Sequence, residues 1–212
     1  MSDSRVKICG LTRQQDAQLA LSLGASYLGF IFYPKSPRGI DLDHYNTLNG
    51  SLTDSFRVAV DVKPDLEKVK RFDEAGFDFF QVHFSDLHDA DYLRELSDLV
   101  GFERLWLAPK LPPGTLFPES LFQYANTMFV DTFHKDGYGG SGMTGDWKGF
   151  RQLKEDYPEK AWILAGGLNP DNIKTARAEA DPDILDLSSG VEASPGIKNA
   201  EKLRALFEAL NS

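Results

Sequence analysis

Three side chains in this sequence, Cys9, His83 and Asp131, each close a short and mostly apolar run. A thiol with a lowered pKa can take a proton from carbon, and a carboxyl group with a raised one can deliver a proton to oxygen. Arg38, in Lys35-Ser36-Pro37-Arg38, carries the planar fork that grips a carboxylate bidentately. Two further segments, Ala165-Gly166-Gly167-Leu168-Asn169-Pro170 and Ser188-Ser189-Gly190-Val191, each lead from an apolar run toward a helical one. Glycine there lets backbone approach a phosphate, and amides at helix starts point partial positive charge at it. Proton transfer on a small phosphorylated compound is the chemistry these types support. Each residue also has a plainer reading. Cys9 can be a small core residue, Asp131 a loop cap, His83 a packing residue, Arg38 a solvated charge, and the glycines mere turn formers.

These residues gain meaning from the elements that must hold them. Short apolar runs alternate with amphipathic stretches, and the periodicity predicts strands at Val6–Cys9, Tyr27–Phe32, Phe56–Val62, Phe79–His83, Arg104–Ala108, Thr127–Asp131, Ala161–Ala165 and Ile184–Leu187. Helices are predicted at Thr12–Leu23 with Thr12 as its cap, then Leu42–Leu52, Asp65–Ala75 and Asp89–Leu99. Pro118–Tyr124 reads as a short helix, followed by helices at Trp147–Tyr157, Pro170–Ala178 and Ala200–Leu210. Strands apolar on both faces and separated by helices belong to a parallel sheet. Eight such units point to a single-domain α/β fold over residues 1–212, a (β/α)8 TIM barrel, with an open doubly wound sheet as the alternative. In such a barrel the strand carboxyl ends build the active site, and phosphates are held after strands seven and eight.

Composition narrows the ligand. With 212 residues, 42% of them hydrophobic, the chain can bury a substantial core. A net charge of −9 disfavours nucleic acid and anionic membranes, so an anionic ligand needs local positive potential. The single cysteine excludes an internal disulfide and a cysteine metal cluster, and no run is long enough to span a membrane. A cytoplasmic protein is expected, with neither metal nor cofactor, and a monomer is favoured over a dimer. Gly137-Tyr138-Gly139-Gly140-Ser141-Gly142 formally matches a dinucleotide fingerprint, but it stands six residues past its strand and opens no helix. The stretch Gly137 to Gly145, with five glycines, reads instead as a cover over the site or as a plain connector.

Taken in order, Val6-Lys7-Ile8-Cys9-Gly10-Leu11-Thr12, Gly29-Phe30-Ile31-Phe32, Ser36-Pro37-Arg38, Gln81-Val82-His83 and Val130-Asp131-Thr132 resemble the phosphoribosylanthranilate isomerase family. Gly139-Gly140-Ser141-Gly142, Asp146-Trp147, Gly166-Gly167-Leu168-Asn169-Pro170 and Ser188-Ser189-Gly190-Val191-Glu192 continue the likeness along the whole chain. The resemblance implies an Amadori rearrangement of N-(5-phosphoribosyl)anthranilate in tryptophan biosynthesis, with Cys9 as base and Asp131 as acid. It further implies Arg38 on the anthranilate carboxylate, His83 and Gln81 near the substrate, and Gly166, Gly167, Ser188, Ser189 and Gly190 around the phosphate. Three positions depart from the family pattern. Phe84 replaces a usual glycine and Gly145 a usual aromatic, both expected to flank the aryl-binding region, and Asp61 stands at an unusual end of the third strand, on the side where a second phosphate would bind; all three bear on selectivity. A related aminoaldose isomerase of the histidine pathway, with a second phosphate turn after strands three and four, and a catalytically silent barrel are the rival readings.

Overall fold

The computed structural model describes residues 4–50, 52, 55–87, 89–111, 115–131 and 145–212. Eight strands follow one another: β1 (Arg5–Cys9), β2 (Tyr27–Ile31), β3 (Phe56–Val62), β4 (Phe79–Phe84), β5 (Leu105–Pro109), β6 (Thr127–Asp131), β7 (Ala161–Ala165) and β8 (Ile184–Leu187). All pair in parallel in sequence order, and β1 pairs with β8 to close the ring, so the open-sheet alternative falls. Among the described residues seven α-helices cover the outside: α1 (Gln14–Leu23), α2 (Leu42–Asn49), α3 (Leu66–Glu74), α4 (Ala90–Val100), α5 (Trp147–Asp156), α6 (Ile173–Ala180) and α7 (Ala200–Asn211). Between β5 and β6 the described residues form a 3-10 turn at Glu119–Gln123, where a short helix is predicted. None of the helices among the described residues is long and apolar enough to cross a membrane.

Local chemistry sets most helix starts. The side chains of Asp41, Asp65, Asp89, Asp146 and Asn199 accept hydrogen bonds from otherwise orphaned N–H groups in the first turns of α2, α3, α4, α5 and α7. Two predicted starts are corrected. Thr12 does not cap α1; its hydroxyl donates to the Gly196 carbonyl at 2.6 Å, and Arg13 occupies the cap position without a side-chain cap bond. Helix α6 begins at Ile173 rather than Pro170, because the Asn169 side chain accepts from the Asp171 and Asn172 amides and so holds a turn ahead of the helix.

Alternation along the strands divides the core in two. Outward residues such as Ile8, Leu28, Phe80, Leu107, Trp162 and Leu185 pack beneath the helices. Inward residues fill the ring, with Tyr27, Phe79 and Trp106 at its amino end, where their centroids lie 4.9 to 5.6 Å apart. This aromatic plug seals one end and leaves the carboxyl end to polar groups. Beyond β8, a 3-10 turn at Ser189–Val191 leads into a hairpin of β9 (Glu192–Ser194) and β10 (Ile197–Lys198), which the sequence pattern did not anticipate.

Since Trp106 is 1% exposed and sits within the plug, Trp106→Ala is expected to cost about 3–5 kcal/mol of unfolding free energy. Urea denaturation followed by circular dichroism measures it, and a loss under about 1 kcal/mol would show that the plug is not tightly packed.

Candidate active site

Cys9 ends β1 with its side chain inside the ring, 5% exposed. Its backbone is held from outside the ring: the Lys198 ammonium donates to the Cys9 carbonyl at 2.6 Å, to the Ser188 carbonyl at 3.2 Å and to Glu192 Oε1 at 2.9 Å. One cation thus ties the ends of β1 and β8 to the following hairpin. The hairpin itself is fixed by Asp16, which accepts from the Lys198 amide and is gripped bidentately by Arg13.

Below Cys9 on the same face lies Lys7, with no exposed surface. Its neighbour in the β1–β8 register is Asp186, whose two carboxylate oxygens accept from Nζ at 3.0 and 3.1 Å. Gly29 stands opposite Cys9 on β2. A Cβ there would lie 3.0 Å from Cys9 Sγ and 3.0 Å from Lys7 Nζ, so the missing side chain makes room for thiol and ammonium side by side. Burial pushes the Cys9 thiol above its ordinary range, against the downward pull of Lys7 and Lys198. The expectation of a lowered thiol pKa is therefore corrected for this ligand-free site: desolvation outweighs the cations. Lys7 behaves oppositely. Burial alone would strip its proton, yet Asp186 and Cys9 hold its pKa above the usual lysine value.

Arg38 is not a solvated surface charge. Its Nε donates to Glu192 at 2.9 and 3.1 Å and its Nη2 at 2.7 Å, and its stem crosses Gly10, where a Cβ would stand 2.6 Å from Arg38 Cδ. Gly10 has φ 75°, a second reason for glycine directly after the thiol. Glu192 takes the Nε and Nη2 edge of the guanidinium, so the carboxylate that Arg38 grips in this structure is the chain's own. Burial works against the Glu192 charge, but hydrogen bonds from Arg38 and Lys198 leave its pKa below the ordinary value.

Across the ring, Asp131 ends β6 on the same inward face as Phe129, exposed at the mouth, and its charge is felt by Asp186. His83 packs edge-on to Phe129 with centroids 5.2 Å apart. Gln81, one layer deeper and 1% exposed, donates its amide N–H to His83 Nε2 at 2.8 Å. Burial first, and Lys7 second, lower the His83 pKa to about 4, so the imidazole is neutral near pH 7.

The two turns after β7 and β8 meet each other. Gly166 and Gly167 take φ of 102° and 65°, and a Cβ on Gly190 would stand 1.9 Å from the Leu168 carbonyl oxygen, so Gly190 is required by chain-to-chain approach. Ser188 Oγ is buried and has no hydrogen-bond partner among the described residues, and no turn or loop hydrogen bond there engages the N–H of Gly167, Ser189 or Gly190. Ser189 and Gly167 are exposed. A groove of about 490 Å³ runs along the outer side of these turns, lined by Asn169, Gly190, Glu201 and Lys202 among others, but not by Cys9, Arg38 or Asp131.

Two departures lie elsewhere than expected. Phe84 and Asp61 point outward, Phe84 into the core under the helices and Asp61 to the Lys68 ammonium of α3, because their neighbours His83, Val60 and Val62 take the inward positions. They do not flank the mouth. After β3, where the histidine-pathway reading requires a second phosphate turn, Lys63 is instead paired with Asp89 at 2.7 Å. Of the glycine-rich cover, residues 137–144 lie outside the described residues. Lys7, Asp186, Glu192 and Lys198 were not singled out from sequence; a charge at an inward position of an apolar strand was the available signal for Lys7 and Asp186.

Comparison with known proteins adds a family. The model of N-(5'phosphoribosyl)anthranilate (PRA) isomerase matches residues 6–209. The N-(5'-phosphoribosyl)anthranilate isomerase of Trichormus variabilis is 35% identical over 98% of this chain and 99% of its own length. The crystal structure of phosphoribosyl anthranilate isomerase from Thermus thermophilus superposes with a TM-score of 0.78 at 34% identity, covering 98% of both chains. A phosphoribosyl anthranilate isomerase in complex with reduced 1-(o-carboxyphenylamino)-1-deoxyribulose 5-phosphate gives a TM-score of 0.76 at 27% identity, again over 98% of both.

Two outcomes follow from this geometry. Between pH 6.5 and about 4 unfolded chains bind a proton at His83 that the folded protein refuses, so this contribution is complete above pH 6.5 and is lost as pH falls toward 4. His83→Gln is expected to flatten that loss, up to about 3 kcal/mol, in urea titrations across the window. Gly190→Ala is expected to cost about 1–3 kcal/mol and to weaken binding of inorganic phosphate; unchanged stability and affinity would mean that the two turns part without penalty.

Proposed function

The chain belongs to the N-(5'-phosphoribosyl)anthranilate isomerase family, and from that premise we propose how its own residues divide the work, with Cys9 as general base and Asp131 as general acid. The enzyme converts N-(5-phosphoribosyl)anthranilate into 1-(2-carboxyphenylamino)-1-deoxyribulose 5-phosphate, an Amadori rearrangement of an aminoaldose to an aminoketose. The supporting observation is one of strand order. Cys9 and Asp131 end β1 and β6 on the inward face, and those strands flank β7 and β8, whose turns are the candidate phosphate cradle. A pentose anchored by its phosphate there hangs between thiol and carboxyl.

The steps then require two residues. Asp131 gives its proton to the furanose ring oxygen as the bond from that oxygen to C1 breaks, leaving an open chain with a C1–nitrogen iminium. Cys9, as thiolate, removes the proton from C2, and the C–H electron pair forms the C1–C2 double bond of the enolamine while the iminium π electrons return to nitrogen. Tautomerisation, with a proton gained at C1 and one lost from the C2 hydroxyl, yields the ketone. Hydrogens move within one molecule, so the net reaction calls for no redox cofactor.

The remaining residues bind. In this reading the phosphate is held by the N–H groups of Gly167, Ser189 and Gly190 and by the Ser188 hydroxyl, on the backbone that Gly166 bends. Arg38, with Nη1 left over by Glu192, meets the anthranilate carboxylate end-on. Neutral His83 lines the sugar, and Gln81 acts through it. In the same reading the working unit is a single-domain monomer, placed in the cytoplasm with the rest of amino-acid biosynthesis.

Cys9→Ala and Asp131→Ala are each expected to lower kcat by roughly 10²–10⁴ in steady-state assays of N-(5-phosphoribosyl)anthranilate turnover, about 3–5 kcal/mol of barrier. Near-normal turnover in either variant would falsify the role of that residue.

A further inference from the structure

A base that burial keeps protonated needs a reason to ionise, and the reason lies one layer beneath it. Lys7 is a wholly buried lysine inside a closed ring, and its ammonium donates to both carboxylate oxygens of Asp186. A buried ion pair of this kind is poor value for stability, since apolar residues of similar volume usually serve a core as well or better. The neighbouring layer shows that the barrel accepts such a filling, with Val58, Ile163 and Ile184 packed inside it. The absent side chain at Gly29 leaves a space that Lys7 Nζ and Cys9 Sγ both border, each 3.0 Å from where a Cβ would stand.

Charged groups face the thiol from several elements. From β1 it meets Lys7, from β8 Asp186, from β10 Lys198, and from the loop after β2 Arg38 with its partner Glu192. His83 on β4 is neutral near pH 7. Asp131 on β6 faces the ring from the mouth, and its charge reaches Asp186. Lys198 and Arg38 are engaged by Glu192 and Lys7 by Asp186, and of the three it is Lys7 that shares the inward face of β1 with the sulfur.

We propose that Lys7 is a positioning residue for catalysis: its ammonium, fixed by Asp186, stabilises the anionic form of the Cys9 sulfur at the moment the base is needed. This rests on the reading of Cys9 as base. Substrate that closes over the mouth removes water from the thiolate, and a charge fixed below the sulfur, out of reach of substrate, is a stabilising partner that binding does not displace.

Cys9 is the chain's sole cysteine, so its ionisation can be read directly from the pH dependence of iodoacetamide alkylation, without interference. Lys7→Met leaves Asp186 buried and unpaired and can fail to fold, so Lys7→Met/Asp186→Asn, which removes both charges, is the companion variant; circular dichroism checks folding of each. In the folded variant the alkylation midpoint is expected to rise by about one pH unit or more, with the basic limb of the kcat/KM profile rising in step, kcat at pH 7 falling about tenfold and KM little changed. An unmoved midpoint overturns the proposal while leaving Cys9 as base. A raised midpoint with an unmoved rate profile overturns it too, by way of the base reading, and Cys9→Ala with near-normal turnover identifies that case.

Discussion

Closure of the ring by pairing of β1 with β8 is the constraint on which everything at this site depends. The register that sets Lys7 against Asp186 also sets Ile8 against Leu187, and so brings the end of the first strand beside the last turn of the barrel. Residues almost the whole chain apart become neighbours at this seam. Without it Cys9 would have no Ser188 beside Gly10, no Lys198 on its carbonyl, and no Asp186 beneath it. Parallel strands impose a direction as well. Every carboxyl end emerges on the same side, so the thiol, the imidazole, the carboxyl and the glycine turns share one rim while Tyr27, Phe79 and Trp106 close the other.

Along that seam the structure concentrates opposed charges at low exposure. Glu192 accepts from both Arg38 and Lys198, Asp186 from Lys7, and Asp16 from Arg13 and the Lys198 amide. A protein with net charge −9 thereby gathers Lys7, Arg38 and Lys198 at one rim, each held by a carboxylate. Glu192 has a second effect. By taking Nε and Nη2 it fixes the direction in which Arg38 presents its remaining nitrogen, so the guanidinium is oriented before any ligand arrives. The hairpin after β8 delivers Glu192 and Lys198 to this place, anchored by Thr12 and by the positive φ of Gly196.

Desolvation acts differently on the members of this cluster. It makes His83 a neutral imidazole and pushes the Cys9 thiol toward its protonated form, while Lys7 keeps its charge because a carboxylate is beside it.

What the sequence determined by itself was periodic or local. Apolar runs of strand length, helices between them and acidic caps such as Asp65, Asp89 and Asp146 carried the eightfold count, because hydrophobic period and capping depend on near neighbours. Cys9, Asp131, Arg38 and the two glycine turns were legible because each sits where a strand ends. The tertiary structure alone decided the rest. It took Thr12 from its helix cap and gave it to Gly196, turned Phe84 and Asp61 away from the mouth, and made Gly190 answer to Leu168. It alone joined Lys7 to Asp186 and Arg38 to Glu192, and raised a thiol expected to be acidic. The reason is common to all of these: inward or outward facing, burial and charge pairing are properties of a closed ring, in which partners stand up to 189 residues apart, and no spacing along the chain encodes who will meet.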